Sequence, residues 1–232
     1  MLFSEGRDFM KKKWLIGIVV MMILVVCSSI YFYRVIYGDE EQMKAAAKAL
    51  EEEMEDKYGI HIIESDGFYT HMVGYAATLT AEDGITFDAW RPDSKDGSVD
   101  FYEEEVWRKK GLSVWGHADQ YVPYVEKVDL NVGYRNEEVN HIPLLTRAID
   151  EVKDTLWLTL YVDLKVPYRE SEAKKIEEGI YHYYEDLQNK GADGVELIVR
   201  HKDDSGSYMI SPDEHGKLPE ISSVEDISSK FD

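Results

Sequence analysis

Twenty consecutive residues from Trp14 to Tyr33, WLIGIVVMMILVVCSSIYFY, carry no charge, and no other feature limits the fold of this chain as much. As a helix, at about 1.5 Å rise per residue, the run spans about 30 Å, the thickness of a bilayer core. Two fates compete for it. A cleaved lipoprotein signal would end its apolar region at Val26 and acylate Cys27. Such signals resemble one another in placing Gly, Ala or Ser before the cysteine, whereas here Val26 stands there. Ser28-Ser29 also imitates an ordinary cleavage site poorly, and Ile30-Tyr31-Phe32-Tyr33 continues the apolar run as an interfacial aromatic belt does. The expectation is a retained transmembrane helix over residues 14–37.

Lys11, Lys12 and Lys13 precede this helix, and Arg34 alone follows it before Asp39-Glu40-Glu41. The positive-inside rule therefore makes residues 1–13 cytoplasmic and the remainder extracellular, a single-pass signal-anchor arrangement in the cell membrane. Asn131, Asn136, Asn140 and Asn189 are not followed by a sequon, which points to a bacterial rather than a glycosylated secretory protein. Residues 1–9, MLFSEGRDF, look unlike the start of either an anchor or a signal, and Glu5-Gly6-Arg7 is encodable by purine-rich codons of the kind that make a ribosome-binding sequence, so translation is expected to begin at Met10.

The net charge of −20 is unevenly distributed: from Val35 onward there are 21 basic and 44 acidic residues, a net −23. Such a domain repels polyanions, so neither nucleic acid nor adhesion to anionic lipid is expected of it. With 44% apolar residues, 16 tyrosines and 5 tryptophans, the chain has enough material for a packed core. Its one cysteine, Cys27, lies in the apolar run, which rules out an intramolecular disulfide or a thiolate metal site.

Hydrophobic periodicity divides the ectodomain into two α+β units, 39–135 and 140–232, with helices on antiparallel sheets. In the first, Asp39 to Gly59 forms a helix through Met43, Ala47, Leu50, Met54 and Tyr58. Ile60 to Glu64 is a strand, and Tyr75, Ala77 and Leu79 pair across Asp83-Gly84 with Ile85, Phe87 and Ala89. Arg91 to Ser98 is a loop, Val99 to Lys110 a helix ended by Gly111, and Val128 to Tyr134 a strand. Asn140 to Lys153 reads as a helix with Leu145, Ile149 and Val152 inward. In LWLTLYVDLKV, Leu156 to Val166, every even-numbered residue is aliphatic, the most regular strand in the chain. Arg169 to Lys190 is an amphipathic helix, Val195 to His201 and Tyr208 to Ser211 form a hairpin, and the tail from Pro212 is expected to be loosely attached.

No catalytic, cofactor-binding or metal-ligating set emerges from these elements. His61, His71, His117, His141, His182, His201 and His215 are scattered, with no HExxH. The loops Asp93 to Asp100 and His201 to Ser207 resemble calcium loops only superficially, because their ligand register fails, and turn chemistry explains them better. Glu103, Glu104 and Glu105 read as a solvated helix face rather than paired catalytic acids. Trp90, Trp107 and Trp115 suit a core better than a sugar or peptide platform. There is no GxSxG, P-loop or GxGxxG motif.

DKYGIHIIE (Asp56 to Glu64) and YAATLTAEDGITFDAW (Tyr75 to Trp90), placed behind the anchor, resemble the uncharacterised single-pass membrane proteins of Gram-positive bacteria. That likeness covers the anchor and roughly residues 43–102. The helix-on-sheet pattern is also similar to cystatin-like and peptidase-propeptide-like modules, and it brings no catalytic residues and no cofactor. Together these readings imply a membrane-anchored extracellular binding or assembly module that is not an enzyme, with an envelope protein as partner. The alternative is an envelope hydrolase, or a protease inhibitor or regulator, acting on wall glycan or peptide through carboxylates on a sheet face; a signal-transducing subunit is a third.

Overall fold

The computed structural model describes residues 5–92, 97–134, 149, 155–213 and 215–232. The chain is α+β, with a long apolar N-terminal helix and, among the described residues, two four-stranded sheets, and it divides into a unit ending at Phe101 and a unit beginning at Tyr102. That division precedes the boundary near residues 135–140 expected from sequence. The strand over Val125–Tyr134 pairs with Leu156–Leu164 and so belongs to the second sheet.

Helix α1, Glu5–Tyr37, is the one helix among the described residues long and apolar enough to cross a membrane, and none of its apolar window is buried. Gly38, with φ of 79°, turns the chain into α2, Glu40–Tyr58. The Asp39 carboxylate caps α2 by accepting from the amides of Glu41 (3.0 Å) and Gln42 (3.4 Å), satisfying donors the helix start would otherwise leave unpaired. Gly59 closes the helix in the left-handed conformation. Ala47, Leu50 and Met54 form its buried stripe, as the spacing predicts.

Behind α2 lies an antiparallel meander of β1 (Ile62–Thr70), β2 (Gly74–Ala81), β3 (Thr86–Trp90) and β4 (Val99–Asp100). The expected β2–β3 hairpin forms around Asp83-Gly84, with Ala77, Leu79, Phe87 and Ala89 buried. β1 continues six residues past Glu64, through Gly67. A Cβ on Gly67 would overlap the Met43 carbonyl, so this glycine admits the α2 backbone rather than ending the strand.

In the second unit α3, Tyr102–Trp115, starts three residues later than expected and runs through Gly111. Gly111 is buried where a Cβ would overlap Leu130 and crowd Ile149, so tertiary packing, not helix termination, explains it. Of the helix expected over Asn140 to Lys153, Ile149 is described and buried, while the rest, including Leu145 and Val152, lies outside the described residues. The sheet order is β5 (Val125–Tyr134), β6 (Leu156–Leu164), β7 (Val195–Arg200) and β8 (Ser207–Ile210). It is mixed rather than antiparallel: β6 and β7 run parallel, connected by α4, Glu170–Asn189. Leu156, Leu158, Leu160, Val162 and Leu164 enter the core together with Ala173, Ile176, Ile180, Tyr183 and Leu187 of α4.

The tail is firmly attached, contrary to expectation. Leu218, Ile221 and Ile227 are buried, the last in α5, Val224–Ser228. Ser207 and Asp232 exchange backbone hydrogen bonds of 2.9 and 2.8 Å, and the Met209 amide donates to Lys230, so the C-terminus seals the outer edge of β8.

Candidate functional site

A concavity of the first unit, about 670 Å³, opens between the start of α2, the β1–β2 hairpin and the end of β3. Ala46, Ala49 and Leu50 form its helical wall. Tyr69 and Tyr75, paired across the hairpin with ring centres 5.0 Å apart, form the opposite wall, and His71, Met72 and Val73 its lip. Trp90, Arg91 and Pro92 close the third side.

Local chemistry fixes this geometry. Tyr69 packs over Gly38, where a Cβ would come within 2.6 Å of its own Cβ, so any other residue at 38 would displace the ring. The Asp39 amide donates to the Tyr75 hydroxyl at 3.1 Å, and Arg34 meets the Asp39 carboxylate at 3.3 Å. The chain leaving α1 is thereby held against the hairpin. His71 sits edge-on to Tyr69, with centroids 5.5 Å apart.

Arg91 directs its guanidinium to Glu53 on α2, through Nε at 2.9 Å and Nη2 at 2.5 Å, and the Ser98 amide donates to the same carboxylate. Burial works to raise the Glu53 pKa, but the hydrogen bonds from Ser98 and Arg91 outweigh it and hold the carboxyl below its ordinary value. Among the described residues the lining provides aromatic and aliphatic surface, one imidazole and one paired guanidinium, without a carboxylate. Such a site suits binding of an apolar or planar group; its described residues form no nucleophile–base pair.

The structure disperses the residues singled out from sequence. Among the described residues no three of His, Cys, Asp and Glu converge as a metal site. His61 pairs with Glu55, His182 with Glu185, and His117 with the Ser113 carbonyl, while His141 lies outside the described residues. In the loop after His201, Asp203 and Asp204 adopt φ of 60° and 53°, and Ser205 bonds Lys202 and the Tyr168 amide, a turn by its own hydrogen bonds. Asp93 to Asp96 of the other acidic loop lie outside the described residues. Glu105 pairs with Arg108, and Glu103 accepts from Tyr134. Trp107 and Trp115 are fully buried in the second unit, whereas Trp90 is half-buried at the cleft.

One buried histidine escaped the sequence reading. His201 is 3% exposed, ringed by Tyr168, Tyr208 and Phe231, with Nδ1 against the Val166 carbonyl at 3.4 Å and Nε2 without a partner among the described residues. Burial pushes its pKa below the ordinary histidine value, and the bond to Val166 opposes this only in part. Its alternation within Val195 to His201 was the available signal for an inward-facing side chain.

Comparison of the chain with protein-family models, curated proteins and solved structures finds no match.

Proposed function

We propose that the chain is a single-pass membrane protein whose two α+β units stand outside the cell as a binding or assembly module of a bacterial envelope, without enzymatic activity. The observation that carries this reading is the surface of α1. From Val19 to Tyr37 its large apolar side chains are between 43% and 67% exposed, a continuous surface far larger than soluble proteins leave in water. A bilayer removes that cost, and the lysines ahead of the apolar run set the N-terminus inside. The acidic character of the remaining chain keeps such a domain soluble and discourages adhesion to anionic polymers.

The cleft of the first unit supports binding over hydrolysis. Glycan hydrolysis needs two convergent carboxyl groups, and the described residues of the cleft lining contribute neither. A photocrosslinking residue at Val73 or Trp90 of the full chain in cells is expected to trap one recurrent envelope component that a probe at Glu82, in the β2–β3 turn, does not. Turnover of wall glycan or peptide by the purified full chain, lost on substitution of a single carboxylate, overturns the reading.

A further inference from the structure

The β1–β2 hairpin projects toward the end of the first unit from which α1 enters. α2 and β1 run antiparallel, as their contacts show in descending order. Glu55 accepts from the Ile62 amide, Glu51 from the Ser65 hydroxyl, Gly67 lies on Met43, and Tyr69 covers Gly38. Tyr69 therefore already stands at the level where α1 ends. Thr70 and the turn His71-Met72-Val73 carry the chain beyond that level.

At that tip Met72 is 95% exposed, the most exposed large apolar side chain among the described residues. It also sits in the longest uncharged run after α1: the fifteen residues from Gly67 to Ala81 contain no Asp, Glu, Lys or Arg. In a domain of net −23 this is where charge is withheld. The aromatic end of α1 points the same way, since Tyr31, Phe32, Tyr33 and Tyr37 are all at least 60% exposed, as side chains of an interfacial belt are.

We propose that the hairpin tip, His71-Met72-Val73, is a second membrane contact that rests in the headgroup region beside α1 and fixes the orientation of the first unit on the bilayer. The inference rests on the reading of α1 as a membrane helix. Met72 supplies an unbranched apolar side chain for the acyl boundary, and Tyr69 and Tyr75 supply amphipathic rings at the interface. The tip carries no carboxylate to be repelled by anionic headgroups. The cleft then opens at the membrane surface.

The test uses the full chain in phosphatidylcholine vesicles, with and without brominated acyl chains, and one environment-sensitive fluorophore per variant. Probes are placed at Met72→Cys and Glu82→Cys, each in a Cys27→Ala background, and at native Cys27. The exposure of Met72 and Glu82 makes misfolding of these variants unexpected. Bromine is expected to quench the probes at residues 27 and 72 and to leave that at residue 82 unchanged. Quenching at 27 with residue 72 behaving like residue 82 overturns the hairpin contact and leaves the anchor standing. Loss of quenching at 27 overturns the anchor itself, and the hairpin inference with it.

Discussion

In the first unit α2 crosses β1 over the bare backbone of Gly67, in a core of alanines with Leu50, Met54, Leu79 and Phe87, whereas the core of the second includes Trp107, Trp115, Tyr183 and Tyr184, each fully buried. Both units lay a helix on a four-stranded sheet, but they solve the packing differently. Small residues let the α2 backbone approach β1 closely, so stability there depends on nothing being added. Large aromatic residues fill part of the core of the second unit, and three of the four satisfy their polar atoms as they do so, while Trp107 Nε1 has no partner among the described residues. Tyr183 donates to the Trp115 carbonyl, Tyr184 to that of Pro219, and Trp115 Nε1 to that of Lys190. There stability depends on nothing being removed.

This contrast predicts opposite sensitivities. Trp107→Ala should destabilise the second unit by about 3–5 kcal/mol, the range for truncating a large buried aromatic. Denaturant unfolding of the full chain measures this, and a change within experimental error would show that the core is not close-packed around Trp107. Gly67→Ala should cost the first unit about 1–3 kcal/mol, because the added methyl meets a main-chain carbonyl that no rotamer change can move. An unchanged midpoint would mean that α2 and β1 do not approach as described.

A smaller effect separates the units by pH. His201 is buried neutral, and its folded pKa is depressed, so the unfolded state binds the extra proton more readily. The stability it contributes is fully present above the ordinary histidine pKa and declines as pH falls below about 6.5. Unfolding of the second unit should follow this decline, while His201→Gln, neutral throughout, should flatten it. An acid response retained in the variant would assign it to other groups.

The same contrast shows which parts of the fold were legible in the sequence. α2, the β2–β3 hairpin, β6 and α4 each carry their own periodicity and punctuation, Asp39 and Gly59 around α2 being an example, and they form where expected. Gly67 and Gly111 were not legible, because a glycine that ends an element and one that admits a neighbour look alike until the neighbour is known. The polar tail hid Leu218, Ile221 and Ile227, whose irregular spacing matches no single element. Parallel pairing of β6 with β7 follows from the α4 crossover, which local alternation does not report. The cleft could not be read at all, since it joins residues 46–50, 69–75 and 90–92 through tertiary packing.

The membrane arrangement is the central claim, and cysteine labelling in intact cells tests it most directly. In a Cys27→Ala background, Glu82→Cys in the β2–β3 turn provides the single thiol of the chain. The account predicts that a membrane-impermeant maleimide labels it on intact cells and that the labelled protein stays with the membranes through a carbonate wash. Labelling that appears only after lysis, or release of the protein into the wash, would contradict it.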